Sequence, residues 1–414
     1  MSETIEEAAA RIAALGDSAP RLARDPVNLP MIRNWAEAIG GSAWDEDVAP
    51  PAMIQVWTMP GLHGVRTDDD PLGLIVGVLD EAGYTSTVAT NCDQEYHRYL
   101  KVGEQLAVRG RLLDVTGPKK TGLGEGWFVN TRSTWYSGDE QVAAMDFRVL
   151  KFRPPSVAGA AAPVSAAAAP MLPLVSPDTA FFWAGTAAGE LRIQRCTACG
   201  ALRHPPGAMC PSCGSGDLGY VVAAGTGTIY SYVVHHHPPV PGKTLPIVIA
   251  LVELAEGVRM VGELAGVSPE EVAVGMPVAV SYASVREGVT LPVWRPAGAD
   301  WLPALIVPVT PTVVISTALA TQDFYVAHHD RDAAIALGSK DIFLNILTTT
   351  GLVQRYVSSW APDAVIRGVS IRLGVPCYAG DSLTFTGRAH GDSVSVVGAC
   401  SLGNHVTATV RIAR

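Results

Sequence analysis

The chain has 414 residues, of which 48% are hydrophobic and 17% charged, so it can bury several cores and is not disordered throughout. The formal net charge of −9 argues against nucleic-acid binding, because affinity for phosphates depends on clustered Lys and Arg. The acidic N-terminus, MSETIEEAAA, does not resemble a secretory leader, and three prolines interrupt the charge-free run at 301–322. We therefore expect a multidomain cytoplasmic protein with no nucleic-acid or membrane partner.

The N-terminal part of the chain predicts one helix followed by a small sheet. An apolar helical stretch at 72–82 precedes four runs of strand-forming residues. These runs are 84–92, 105–115, 127–136 and 141–150. We assign residues 1–153 to an N-terminal domain.

A segment without charged side chains follows this domain. Residues 154–177 consist almost wholly of Ala, Pro, Val and Ser and lack an apolar periodicity that a core could use. Such a composition is typical of an extended tether. We therefore predict a linker at 154–177, a middle domain at 178–300 and a C-terminal domain at 301–414.

The middle domain contains two Cys-x-x-Cys pairs separated by ten residues. The four cysteines are Cys196, Cys199, Cys210 and Cys213. Each pair directs two thiolates at one point, and Gly200 and Gly214 follow the pairs where the chain turns back under the sulfur atoms. This spacing predicts a structural zinc ion with four protein ligands and no open position for catalysis. A redox dithiol or two disulfides would not require both pairs and both glycines.

A β-rich segment follows the cysteine pairs. The alternating runs GTIYSYVV, PIVIALVEL and PVAVSYASV in residues 221–294 predict a small OB-type barrel. Residues 221–304 carry four Lys or Arg against seven Asp or Glu, so the barrel lacks the basic groove that single-strand binding requires. With the aromatic run at 181–183, the segment 177–296 resembles the zinc-ribbon/OB domain that accompanies thiolase-like acyl-CoA enzymes. The resemblance implies docking to a thiolase-like partner, which in steroid side-chain breakdown resembles an aldolase.

The C-terminal domain repeats the element order of the N-terminal one. The helical stretch at 342–360 is apolar on nearly every side, so it should be buried. Strand-like runs follow it at 365–375, 382–390, 393–400 and 405–412. An antiparallel sheet wrapped around such a helix is the hot-dog fold, and an unrelated α+β sandwich is the alternative.

The two terminal domains also share residues. VGEQLAVRGR (102–111) and AGDSLTFTGR (379–388) have a Gly, an acid, a Leu, a Gly and an Arg at equal spacing. We therefore predict an α+β protein in which two hot-dog domains flank a zinc ribbon and an OB-fold barrel. Hot-dog units usually pair into one extended sheet, and the two copies could pair within one chain or between the chains of a homodimer.

The segment TQDFYVAHHD (321–330) contains the candidate catalytic residues. Asp323, followed five residues later by His328, resembles the motif of MaoC-like enoyl-CoA hydratases. The resemblance implies that the two side chains hold one water: one removes a proton as the water attacks the β-carbon, and the other supports or returns a proton at the α-carbon. A His with its usual pKa of about 6.5 suits this role at neutral pH. His329 would face away in an extended segment, and a solvated polar turn is the alternative interpretation.

The sequence departs from the family pattern at three positions. Tyr325 and Ala327 stand where Asn and a bulky aliphatic residue are common, and Asn345 lies near a position that is often Gly at the start of the central helix. The N-terminal end of that helix should supply backbone N–H groups that polarise the thioester oxygen. These departures leave the donor and the pocket shape unassigned.

Residues 32–51 resemble the opening segment of a MaoC-like domain, which places Gly41 near the position of Asp323 and Glu46 near that of His328. The N-terminal domain has therefore lost the catalytic pair. The resemblance implies a non-catalytic domain that is free to open its pocket to a bulky acyl group.

The whole arrangement resembles a fusion of the two subunits of the MaoC-like hydratases of steroid side-chain degradation. The resemblance implies hydration of a steroidal 2-enoyl-CoA with a three-carbon side chain, coenzyme A as part of the substrate, transfer of the product to a docked aldolase, and a homodimer. A hot-dog acyl-CoA thioesterase and a non-catalytic scaffold for a thiolase-like enzyme are the alternatives.

Overall fold

The structure is a computed structural model that divides into two compact units. Unit 1 is Met1–Val164 with Leu305–Arg414, and unit 2 is Ser165–Ala304. The finer domain boundaries stay predictions, and most of the predicted linker lies outside the described residues. The described residues are 3–41, 47–64, 66–153, 172–238, 240, 243, 245–286, 289–298 and 301–413.

The N-terminal half of unit 1 contains a helix and long strands close to the predicted positions. The helices are α1 (Ile5–Ala14), α2 (Leu29–Ile39) and α3 (Pro71–Glu81). The strands are β1 (Arg21–Leu22), β2 (Val48–Ala49), β3 (Ser86–Tyr96), β4 (Leu100–Lys101), β5 (Leu106–Thr121), β6 (Gly124–Ser137) and β7 (Glu140–Arg153). α3 begins at Pro71 because Asp70 caps it, accepting a hydrogen bond from the backbone N–H of Leu72 at 3.3 Å.

Unit 2 consists of a short helix, a three-stranded ribbon and a closed barrel. Its elements are α4 (Ala180–Ala187), β8 (Arg192–Cys196), β9 (Leu202–Arg203), β10 (Leu218–Val222), β11 (Thr226–His235), β12 (Ile247–Leu254), β13 (Arg259–Leu264), β14 (Pro277–Arg286) and β15 (Val289–Pro296). The barrel closes in the order β11-β12-β13-β15-β14. Alternate residues of β12 are buried, as a small barrel filled by side chains requires. The predicted barrel is confirmed.

The C-terminal half of unit 1 wraps a sheet around a buried helix. Its elements are β16 (Trp301–Val309), α5 (Pro311–Ala320), α6 (Arg331–Ala336), α7 (Ile346–Trp360), β17 (Val365–Leu373), β18 (Asp381–His390), β19 (Ser393–Cys400) and β20 (Gly403–Ala413). The first nine residues of α7 are buried, as predicted for the central helix. The helix starts at Ile346 rather than Ile342, because Phe343 forms a β-bridge with Tyr378 instead.

The two halves of unit 1 share one ten-stranded sheet. Its order is β1-β5-β6-β7-β3-β17-β20-β19-β18-β16. The order β5-β6-β7-β3 is mirrored by β18-β19-β20-β17, so the similar segments 102–111 and 379–388 lead into equivalent strands. β3 and β17 pair antiparallel, with Gln94 opposite Val369. The two hot-dog copies therefore pair within one chain. In the part of the chain that the structure describes, we find no helix of the length and hydropathy that a bilayer span needs.

Candidate active site and zinc ribbon

The candidate catalytic segment is a tight turn rather than an extended strand. α5 ends at Ala320, and Gln322 adopts φ 57°, a left-handed conformation that reverses the chain. The backbone N–H of Asp323 then donates to the Ala318 carbonyl at 3.0 Å, and a 3-10 turn spans Val326–His328. The turn brings Asp323 and His328 to the same side of the segment.

Asp323 and His328 face each other across a short gap. His328 Nε2 lies 3.9 Å from Asp323 Oδ2, and the two side chains are 9% and 17% exposed. His328 Nδ1 lies 2.8 Å from the Phe343 carbonyl oxygen, which can only accept, so Nδ1 carries the proton and the Nε2 lone pair faces Asp323. Burial lowers the pKa of His328 below its usual value, although Asp323 acts in the opposite direction. The imidazole is therefore neutral at neutral pH and can accept a proton.

The gap suits a water molecule. A water about 2.8 Å from each of two atoms that are 3.9 Å apart makes an angle of about 90° at its oxygen, within the range of bent hydrogen bonding. The pair can therefore hold and deprotonate one water.

The pair lies at one wall of a cleft of about 490 Å³. The C-terminal half contributes Tyr325, Phe343 and the start of α7, and the N-terminal half contributes most of the remaining lining. Much of the N-terminal lining is apolar: Leu72, Val76, Val88, Val108, Met145, Phe147 and Val149. An apolar body of a ligand can therefore extend from the pair into the N-terminal half.

The start of α7 provides free backbone donors. Asn345 is its N-cap: the side-chain oxygen accepts from the Thr348 N–H at 2.6 Å, and Nδ2 donates to Thr321 Oγ1 at 3.0 Å. The backbone N–H groups of Ile346 and Leu347 have no acceptor among the described residues, and both residues line the cleft. These two N–H groups are candidates for polarising a thioester oxygen. The N-cap preference of Asn was the sequence signal that could have found them.

Of the other described residues that the sequence analysis named in these two motifs, Tyr325 lines the cleft, and His329, Ala327 and Gly41 do not. His329 Nε2 lies 3.0 Å from the Phe324 carbonyl, and His329 does not line the cleft. Tyr325 lines the cleft with its ring 5.6 Å from that of His328. Ala327 is buried outside the lining. Gly41 lies beside the Arg355 side chain, also outside the lining, and Glu46 lies outside the described residues.

The four predicted zinc ligands converge in unit 2. Cys196 Sγ lies 3.6 Å from Cys213 Sγ, and Cys199 Sγ lies 3.6 Å from Cys210 Sγ. All four sulfur atoms lie within 4.8 Å of one another. Tetrahedral Zn–S bonds of about 2.3 Å require sulfur atoms about 3.8 Å apart. The donor set therefore fits a structural zinc ion, which these cysteines would hold and which would link β8 to the following turns.

Comparison with known proteins found similar proteins for each part of the chain. Family models described as ChsH2 rubredoxin-like zinc ribbon domain and ChsH2 C-terminal OB-fold domain match residues 183–219 and 220–283. A solved MaoC-like dehydratase is 15% identical and covers 95% of this chain and 97% of its own, with a TM-score of 0.50. A solved chain described as Ltp2-ChsH2(DUF35) aldolase is 50% identical over 30% of this chain and 99% of its own, with a TM-score of 0.30.

Two subunits of one mycobacterial enzyme also match. The chain is 54% identical over 305 residues to the 3-oxo-4,17-pregnadiene-20-carboxyl-CoA hydratase alpha subunit of Mycobacterium tuberculosis, covering 70% of this chain and 97% of the subunit. It is 58% identical over 117 residues to the beta subunit, covering 27% of this chain and 91% of the subunit.

The fold and the matches define the class of protein: a double hot-dog of the MaoC-like type that carries a zinc ribbon and an OB-fold barrel. The chain belongs to the family of 3-oxo-4,17-pregnadiene-20-carboxyl-CoA hydratases, with counterparts of both subunits in one polypeptide.

Proposed function

We propose that this chain adds water to a steroidal 2-enoyl-CoA with a short side chain, using Asp323 and His328 as its acid–base pair. The substrate class is supported by the name and the identity of the mycobacterial relatives. The single observation that carries the chemistry is the 3.9 Å approach of His328 Nε2 to Asp323 Oδ2 at the wall of an apolar cleft.

In the proposed reaction, His328 Nε2 takes a proton from the bound water as its oxygen bonds to the β-carbon. Asp323 orients the water and supports the return of that proton to the α-carbon, so the pair ends each cycle in its starting charge state. The N–H groups of Ile346 and Leu347 stabilise the negative charge that develops on the thioester oxygen. The net reaction is the addition of one water, and no covalent intermediate forms on the protein.

We propose that the N-terminal half is non-catalytic and holds the steroid body. Its contribution to the cleft includes eight Val, Leu, Met and Phe side chains, which a fused hydrocarbon ring system can desolvate. Gly41 has no side chain that could donate or accept a proton. Neither Gly40 nor Gly41 lines the cleft.

We also propose that unit 2 docks a thiolase-like aldolase that consumes the hydrated product. Unit 2 carries large apolar side chains that are 46–61% exposed in the chain alone, and a docked partner would cover them. They are Tyr220, Val222, Tyr230, Val233 and Val261. Co-elution of the two proteins, and its loss when Val233 and Val261 are replaced by Glu, would test this partner.

Two broader expectations belong to the same proposal. We propose that the protein acts in the cytoplasm, because a reducing compartment keeps the cysteines as zinc-binding thiolates. We also propose a homodimer of this chain, because hot-dog units usually associate, and sedimentation analysis of the purified chain tests it.

The decisive variant is Asp323→Asn, assayed with a steroidal 2-enoyl-CoA by the mass gain of one water. We expect kcat/KM to fall by about 10²- to 10⁴-fold, because the Asn side chain cannot take part in proton transfer. Asp330→Asn is the matched control: Asp330 caps α6 through the Ala333 N–H at 3.0 Å, a role that Asn also fills.

Full activity of Asp323→Asn would rule out the assignment of the pair. Release of free CoA thiol by the wild-type chain would identify a thioesterase instead. Binding of the aldolase without turnover of any enoyl-CoA would identify a scaffold.

A further inference from the structure

Arg21 is one of four arginines that line the cleft, and it has no ion-pair partner among the residues that the structure describes. Arg21 is in β1, the edge strand, which β5, β6, β7 and β3 separate from the C-terminal half of the sheet. Its Nη1 donates to the Thr58 carbonyl at 2.7 Å. Thr58 is itself buried, and its hydroxyl accepts a hydrogen bond from Trp135 Nε1 at 2.9 Å. The guanidinium is therefore held in place by buried groups of the N-terminal half.

Arg21 forms no ion pair with a carboxylate of the described residues. No carboxylate of the described residues lies within 4 Å of it. Asp70 is engaged by Arg66 Nη1 at 2.5 Å and by the cap of α3. Burial lowers the pKa of Arg21, with Asp70 acting in the opposite direction. A guanidinium has five N–H donors, and within the described residues only the bond to Thr58 uses one of them, so donors remain for an acceptor that enters the cleft.

The position of Arg21 in the sheet indicates which part of a ligand it can reach. Four strands separate β1 from the C-terminal half, which carries Asp323 and His328, so Arg21 lies at the end of the cleft remote from the pair. The lining contributed by the N-terminal half includes Val76, Val88 and Phe147, which can contact a hydrocarbon ring system that spans this distance.

Building on the proposed hydratase function, we infer that Arg21 is a specificity-determining residue that donates a hydrogen bond to a carbonyl oxygen at the end of the substrate remote from the thioester. The relatives are named for a substrate with a 3-oxo group, and a ring ketone of that kind is an acceptor of the required chemistry.

The test compares two steroidal 2-enoyl-CoA substrates that differ only in the 3-oxo group. In Arg21→Met, we expect kcat/KM for the 3-oxo substrate to fall by about 10- to 100-fold, chiefly through KM, and that for the 3-deoxo substrate to change by less than about threefold. The wild-type chain should prefer the 3-oxo substrate by the factor that Arg21→Met loses. Arg24→Met is the matched control, because Arg24 is an exposed arginine outside the cleft lining.

Retained turnover of the 3-deoxo substrate also reports that Arg21→Met folds correctly. An equal loss on both substrates would assign Arg21 to the CoA moiety or to folding, and no loss on either would show that it touches no substrate; each result overturns the inference. If the wild-type chain hydrates neither substrate, the proposed function fails separately. In that case, the Kd values of the 3-oxo and 3-deoxo compounds for the wild-type chain and for Arg21→Met, measured by calorimetry, test the role of Arg21 independently of turnover.

Discussion

Replacing Asn345 by Ala tests how the start of the central helix serves the active site. Asn345 is 3% exposed, accepts from the Thr348 N–H and donates to Thr321 Oγ1. Ala removes both bonds and leaves the buried Thr348 N–H without its acceptor. The free N–H groups of Ile346 and Leu347, one and two residues later, depend on the same turn of helix.

The loss of stability follows from these contacts. Removing a buried N-cap costs about 1–2 kcal/mol, and losing the bond to Thr321 adds about 0.5–1.5 kcal/mol. The total of about 1.5–3.5 kcal/mol corresponds to a fall in Tm of roughly 3–14 °C for a unit of this size. If the first turn of α7 frays, the two N–H donors lose their alignment, and kcat/KM should fall by about 10- to 100-fold.

Differential scanning calorimetry and the hydration assay measure the two effects. Asn345→Ser keeps an N-cap oxygen and should recover most of the stability and activity. Asn404→Ala is the control for loss of an Asn side chain, because Asn404 is exposed on β20. Wild-type Tm and turnover in Asn345→Ala would refute the role of Asn345 and, with it, the assignment of the backbone donors.

Two further predictions concern protonation and packing. Because burial sets the pKa of His328 below its usual 6.5, kcat/KM should fall as pH drops through that lowered pKa. The free energy of unfolding should also fall as pH drops below 6.5, since the unfolded chain then binds the proton more readily than the folded chain. Urea denaturation at a series of pH values measures this dependence, and His328→Gln should make the free energy of unfolding change less with pH. Gly351→Ala places a Cβ 2.8 Å from Trp35 Cζ2 and should destabilise the folded chain by about 1–3 kcal/mol. Gly77→Ala in α3 places a Cβ with no atom within 4 Å and should stabilise the folded chain by about 0.5–1 kcal/mol. Calorimetry that gave both changes the same sign would contradict this packing.

The features that sequence alone predicted correctly are those that short spacings encode. Two Cys-x-x-Cys pairs bring four sulfur atoms to one point whatever surrounds them, because each pair forms its own turn. The apolar periodicities at 72–82 and 342–360 predicted the two central helices, and alternation predicted the strands. The order of these elements was enough to predict two hot-dog domains around a ribbon and a barrel.

Local pattern was insufficient where two distant segments compete for the same residues. The apolar residues 342–344 look like helix in sequence, but Phe343 pairs with Tyr378 and the Leu344 N–H bonds to the Cys377 carbonyl at 3.1 Å. That extended stretch delivers the Phe343 carbonyl to His328 and leaves Asn345 to cap α7. The sequence of an apolar run does not show which distant backbone groups will form hydrogen bonds with it.

The amino-acid sequence by itself predicted the two central helices, the strands that follow them and the four cysteine ligands, because each depends on residues a few positions apart. The candidate pair Asp323 and His328 was predicted from its resemblance to a family motif. Only the tertiary structure decided that the hot-dog copies pair through β3 and β17, that their cleft extends from the pair into the N-terminal half, and that Arg21 lines its wall. These features join residues hundreds of positions apart, and their geometry arises from the packing of whole sheets, which no local spacing records.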